Sequence, residues 1–236
     1  MKLIDCRQLQ KTYADKQVLN GVNFAVKQGE FFGLVGVNGC GKSTLIKCIL
    51  NLCAIDAGSI TLSGHSHYND KARHFIAYLP DQFSLPVWLK TSDFLYYMLK
   101  LHNVPRQDKV IHAMLASLGL ETHVLSLSVK QLSKGMAQKI GLAVCLLSRK
   151  PLLILDEPMS GLDPEARVLL KRQLQIAKQN GISIFFSSHI LADVDELADT
   201  MAVLHHAKMR FTGSPDIFKE DYQGETLEQA YMNCIG

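Results

Sequence analysis

The stretch that most constrains this chain is Gly36-Val37-Asn38-Gly39-Cys40-Gly41-Lys42-Ser43-Thr44. It follows the apolar run Phe31-Phe32-Gly33-Leu34-Val35 and precedes Leu45-Ile46-Lys47-Cys48-Ile49-Leu50, whose pattern predicts a helix. Strand, glycine-rich loop and helix start, in that order, are the context a phosphate-binding loop requires. Glycines let the backbone from Gly36 through Asn38, Gly39, Cys40 and Gly41 aim several N–H groups at one anion. The helix N-terminus adds free N–H groups and partial positive charge. Lys42 can reach the β- and γ-phosphates of a nucleotide, and the Ser43 hydroxyl can bind Mg²⁺, with Thr44 beside it. Cys40 sits among inward N–H groups next to Lys42, surroundings that favour thiolate; the alternative is a thiol packed inertly against the loop helix.

A chain of 236 residues, 47% of them hydrophobic, predicts one large domain or a domain with an inserted subdomain, and a sizeable core. The net charge of +3, with Lys and Arg scattered rather than striped, gives no argument for a nucleic-acid partner. Met1 leads directly into Lys2-Leu3-Ile4-Asp5-Cys6, with no apolar signal-peptide core. No run reaches the ~18 apolar residues of a membrane helix. Ile140 to Leu147 reads as buried helix. The six cysteines form no C-x-x-C pair, so the expectation is reduced thiols in a cytosolic protein. His65/His67 and His205/His206 lack acidic or Cys partners at ligand spacing and read as exposed loop residues.

Lys2 to Leu9 predicts a strand, Thr12 to Gln17 a turn, and Val18 to Val26 a second strand broken by Gly21. Asp56-Ala57-Gly58 predicts a turn, Ser59 to Leu62 a short strand, and Phe75 to Leu79 another. From Leu85 to about Arg149 the texture is helical. Phe94, Leu95, Met98 and Leu101 form one core stripe, and Val110, Met114, Leu115 and Leu118 a second. Strand character returns at Leu152-Leu153-Ile154-Leu155 and at Ile182 to Ser187, with helices over Pro164 to Gln179 and Ile190 to Ala198. Met201 to Leu204 and Met209 to Thr212 predict a hairpin, and short helices follow Pro215. Strands alternating with helices around a phosphate loop argue for a mainly parallel sheet covered on both faces.

The strand Leu152 to Leu155 ends in Asp156-Glu157-Pro158. In isolation that pair would read as helix-capping acids. At the carboxyl end of a buried strand beside a phosphate loop, Asp156 can hold Mg²⁺ and Glu157 can polarise a water for attack on the γ-phosphate.

Upstream of that strand, Gln131-Leu132-Ser133-Lys134-Gly135-Met136-Ala137-Gln138-Lys139 resembles the signature motif of ABC-type ATPases, usually Leu-Ser-Gly-Gly-Gln. Ser160-Gly161-Leu162-Asp163 resembles that family's D-loop, His189 its switch histidine, and Tyr13 its adenine-stacking aromatic. The resemblance runs from about Ile4 to Gly213. It implies an α/β, P-loop NTPase fold of the ABC-type ATPase domain. A mainly parallel core would carry a small antiparallel β subdomain and a helical subdomain at about residues 85–149, within a single domain spanning 1–236.

It also implies ATP and Mg²⁺ as cofactors and a homodimer closed around two ATP molecules. Ser133 and Gly135 would then meet the γ-phosphate held by the partner, and Asp163 would join the nucleotide-binding set. Lys134 and Met136 depart from the usual Gly and Gln, but similar Ser-Lys-Gly-Met sequences occur in exporter-type domains. Lys134 reads equally as added charge near the γ-phosphate or as a solvated helix-start lysine. The family's Q-loop glutamine corresponds to Asp81 or Gln82, either of which could reach the Mg²⁺-bound water.

The expectation is the ATP-hydrolysing subunit of an ABC exporter, peripheral on the inner face of the cell membrane, with an integral membrane permease on a separate chain. The rivals are an importer ATPase, a soluble ABC ATPase acting on ribosomes or DNA, and a non-hydrolysing regulator. Gln82 to Leu89, which holds the only Trp, reads either as the permease dock or as a segment pinned to the core by Phe83 and Trp88.

Overall fold

β1 (Lys2–Tyr13) and β2 (Lys16–Lys27) pair antiparallel, so the turn expected over Thr12 to Gln17 shrinks to Ala14-Asp15. A side chain causes the longer pairing. Asp56 accepts the Thr12 N–H at 2.6 Å and meets Lys11 Nζ at 2.9 Å, which pins the end of β1. The turn expected at Asp56-Ala57-Gly58 is likewise replaced, because β4 (Ala57–Leu62) starts directly after that anchor and pairs with β1. With β5 (His65–Ser66) these strands make a four-stranded sheet in the order β2-β1-β4-β5. His67 corrects a second expectation. It is 1% exposed, with Nδ1 3.2 Å from Ile60 O, and burial holds its pKa below the ordinary value.

The computed structural model describes residues 1–83, 86 and 88–236. Its larger sheet contains β3 (Phe31–Val35), β6 (Ile76–Leu79), β7 (Leu152–Leu155), β8 (Ser183–Ser188), β9 (Thr200–His205) and β10 (Lys208–Gly213), in the order β10-β9-β3-β8-β7-β6. All neighbouring pairs are parallel except β9 with β10, the predicted hairpin. The continuous apolar texture of these strands follows from burial on both faces. Successive side chains go to opposite sides. Phe31, Val35, Leu153, Leu155, Ile184 and Phe186 enter one cluster, while Phe32, Leu34, Leu152, Ile154 and Phe185 enter the other. The second cluster lies between the two sheets. Phe24 from β2 stacks there near Phe32 and Phe185, and α1 (Lys42–Ile49) fills the gap with Leu45, Ile46 and Ile49.

The first cluster is roofed by α2 (Thr91–Leu101), α3 (Asp108–Ser117) and α4 (Lys134–Leu147), in the region expected to be helical. The whole of Ile140 to Leu147 is buried, as its apolar run predicts. The other two stripes are shifted in phase. Phe94 and Leu95 are joined by Leu99 rather than Leu101, and Leu115 and Leu118 by Ile111 rather than Val110. Leu101 and Val110 stand exposed near the connection between α2 and α3.

Beyond β7 come α5 (Pro164–Gln179), α6 (Leu191–Leu197), α7 (Pro215–Asp221) and α8 (Leu227–Ile235). All six cysteines are free thiols. Among the described residues no helix is long and apolar enough to cross a membrane.

Candidate nucleotide site

The loop between β3 and α1 is shaped by its close neighbours. A Cβ on Gly36 would lie 2.6 Å from Leu204 O, so only glycine lets the end of β9 approach. Gly41, at φ 116°, caps α1 with no side-chain hydrogen bond, so the first N–H groups of the helix are not consumed by a cap. They open on a cleft of about 420 Å³ lined by Asn38, Gly39, Gly41, Lys42, Ser43 and Thr44, with Glu157 and His189 opposite. Such a cleft suits an anion at a helix N-terminus. Val18, Asp81 and Ser160 complete its walls.

Lys42 is nearly buried. Its Nζ donates to Gly36 O at 2.7 Å and lies 3.1 Å from Glu157 Oε1, close enough for an ion pair but outside hydrogen-bond geometry. Glu157 Oε2 lies 2.8 Å from His189 Nδ1, and an ionised carboxylate only accepts, which assigns the proton to Nδ1. Glu157 holds a left-handed backbone at φ 50°, the kind of local strain that active sites retain. Its N–H donates to Ser187 Oγ at 2.9 Å, and that hydroxyl donates to Asp156 Oδ1 at 2.5 Å. One serine at the end of β8 therefore sets both acids. Burial pushes the Asp156 pKa up. The Ser187 and Ser43 hydroxyls work against that, and Asp81 and Glu157 add to it.

On the other side of Ser43 a second cleft of about 440 Å³ is lined by Ser43, Asp81, Gln82 and Asp156, with Lys47, Tyr78 and Pro80. Asp81 thus reaches both clefts and Gln82 only this one. Hydroxyl, amide and carboxylate oxygens are the hard donors that Mg²⁺ takes. Among the described residues no group of three or more His, Cys, Asp or Glu could hold a metal by itself.

The remaining predicted residues lie elsewhere. Tyr13 is exposed at the end of β1, its hydroxyl 3.0 Å from Cys53 Sγ, and does not line the cleft. Ser133 caps α4, accepting the Met136 N–H at 3.1 Å, and Asp163 caps α5, accepting the Ala166 N–H at 2.8 Å. Gly135 faces Gly161 and Leu162, and the Lys134 side chain lies along Gly161, so signature and D-loop form one cluster apart from the phosphate loop.

Of the two readings of Cys40, the packed thiol is the one supported: Sγ lies against Gly36, and burial pushes its pKa up despite Lys42. Val18 and Ser187 are site residues that the sequence reading does not single out, and Ser160 enters it only as part of the D-loop motif. Ser187 carries a signal of its own, a polar residue ending an apolar strand two positions before His189.

Fold and site together define a phosphate-loop nucleotide hydrolase of α/β type. A family model described as ABC transporter matches residues 19–160. The chain is 37% identical to an uncharacterized ABC transporter ATP-binding protein of Synechocystis sp., over 83% of this chain and 56% of that one. It is 31% identical to the lantibiotic transport ATP-binding protein SrtF of Streptococcus pyogenes, over 99% and 97%. A solved structure of an ATP-binding subunit of an ABC transporter superposes with a TM-score of 0.87 at 30% identity, covering 98% of this chain and 99% of the other. The chain therefore belongs to the ABC transporter family and carries that family's ATP-binding, ATP-hydrolysing domain. It spans 56% and 66% of the length of two of its curated relatives.

Proposed function

We propose that residues 1–236 act as one ATPase domain, with about residues 85–149 as its helical insert, and drive a transporter by hydrolysing Mg·ATP. The observation that carries this reading is the placement of Glu157 between Lys42 and His189, across the cleft from the free N–H groups of α1. In this reading the phosphates occupy that cleft and Lys42 engages them. Glu157 accepts a proton from the attacking water, and His189, whose Nδ1–H donates to Glu157, orients that carboxylate and turns the lone pair of its other ring nitrogen to the cleft, where it can accept from the same water. Ser43, Asp156 and Asp81 or Gln82 would hold Mg²⁺, which supplies charge neutralisation to the phosphates when bound. Tyr13 would stack on the adenine.

Ser133, Gly135 and Asp163 do not line the cleft of their own chain. A site built from two copies explains them, each signature closing on the other copy's phosphate loop. The similarity to a lantibiotic transport ATP-binding protein supports a transport path in permease subunits on another chain, with this domain at the inner face of the membrane. The signature Ser133-Lys134-Gly135-Met136 and the 33% identity to a Nod factor export ATP-binding protein of Rhizobium sp. favour export.

Glu157→Gln tests the chemistry. The amide keeps the shape but loses the base. Hydrolysis should fall by roughly 10²-fold or more, with ATP still bound and a dimer on size exclusion in Mg·ATP. Turnover near wild type removes Glu157 from its role.

A further inference from the structure

The last helix, α8, lies beyond the motifs used above and outside the matched residues 19–160. It packs against α6, and its Leu227, Ala230 and Tyr231 join the larger core cluster. Tyr231 is 7% exposed, and its hydroxyl is buried with no hydrogen-bond partner among the described residues. Tyr231 also bounds a cavity of about 230 Å³ whose other walls are Val35-Gly36-Val37-Asn38, His189 and Leu191. The phenol therefore meets the back of the phosphate loop and the switch-histidine segment at one point. Burial pushes its pKa up, the neighbouring Cys40 thiol adds to that, and the Val37 N–H opposes it. Val37 lines the same cavity as the phenol, which puts its backbone across a small gap from the unpaired hydroxyl.

A buried hydroxyl left unpaired is costly, and phenylalanine would fill the same space without that cost. The cavity beside it gives the loop wall room to move onto the phenol. We infer that Tyr231 is a positioning residue of the nucleotide site: its hydroxyl accepts the Val37 N–H when the loop closes on phosphate, and so ties the loop to the C-terminal helix. The inference rests on the ATPase reading. It assigns α8 a part in nucleotide affinity and none in the chemical step.

The test uses the full chain, with ATP and Mg²⁺ as the probe, in wild type, Tyr231→Phe and Tyr222→Phe. Tyr222 packs on Phe211 and Phe218 in the same C-terminal region, away from the loop, and serves as the control. For Tyr231→Phe, KM for ATP should rise roughly fivefold, the worth of one hydrogen bond, with kcat within about twofold of wild type. Its melting temperature without ATP should equal or exceed wild type, while the upward shift produced by ATP shrinks. Tyr222→Phe should leave KM unchanged. Wild-type KM in Tyr231→Phe overturns the assignment, and so does a lowered ATP-free melting temperature, which would make the hydroxyl a structural group. If wild type itself neither binds nor hydrolyses ATP, the functional reading falls and takes the inference with it.

Discussion

Asp156 and Glu157 are adjacent in sequence but sit in different surroundings. Glu157 has Lys42 on one side and His189 on the other, whereas Asp156 is 1% exposed, with Ser187 as its side-chain donor. Burial raises the Asp156 pKa above that of the unfolded chain, so the ionised form is the one the fold disfavours. Stability is then lost as pH rises from the unfolded carboxyl range through the folded pKa, and the full burden is present at neutral pH. Asp156→Asn keeps an acceptor for Ser187 and removes the buried charge. It should melt a few degrees above wild type at pH 7, with the gap narrowing as pH falls through the raised pKa of the folded carboxyl. Hydrolysis should drop by roughly 10²-fold, because in the proposed reading this carboxylate is the anion that holds Mg²⁺. Thermal melts across that pH range decide it. An asparagine variant melting at or below wild type at pH 7 would mean that burial of the carboxylate carries no such burden.

At the scale of elements, local pattern was a good guide to type and a poor one to phase. Ile140 to Leu147 could only be a buried helix, but in α2 and α3 two apolar positions compete for the inner face at each end. Packing against α4 and the sheet chose Leu99 and Ile111. Strand ends were set by partners distant in sequence, as with Asp56 at the tip of β1. The segment after β6 divides between its two readings. Ser84, Leu85 and Val87 lie outside the described residues. Phe83 packs edge-on to Phe94, with ring centroids 5.8 Å apart, and lies against Gly141, so it pins the segment. Trp88 is 82% exposed and pins nothing. A large aromatic left in solvent suits a docking anchor for a membrane partner. Trp88→Ala should therefore leave melting temperature and basal ATPase activity at wild-type values while abolishing co-purification with the permease. A drop in melting temperature of several degrees would place Trp88 in the core and withdraw the dock.

For the whole molecule, what the sequence disclosed depends on distance along the chain. The phosphate loop and the Asp156-Glu157 pair were legible because their chemistry is contiguous and each ends a recognisable strand. Ser187, Val18 and Tyr231 were not, because β8, β2 and α8 reach the loop only through the sheet order and the packing of the last helices. Within one chain, Ser133 and Gly135 stay with the D-loop and away from the cleft, and in the proposed two-copy site their target is the phosphate loop of the other copy. That arrangement can be tested by mixing two inactive chains. Lys42→Ala disables the phosphate loop, and Ser133→Arg blocks the signature. In a mixed dimer one site combines both defects, while the other pairs an intact loop with an intact signature. Random pairing makes about half of the dimers mixed, each with one sound site, so roughly a quarter of wild-type activity should return if the sites work independently. Activity should peak at equal amounts of the two chains and vanish when either is omitted. Failure of any mixture to exceed its components, with mixed dimers demonstrated by differential tagging, would mean that each chain completes its own site or that one sound site is not enough. An Mg·ATP-bound Glu157→Gln dimer then separates these outcomes, since cross-linking from Ser133→Cys to the partner's phosphate loop forms only in the shared arrangement.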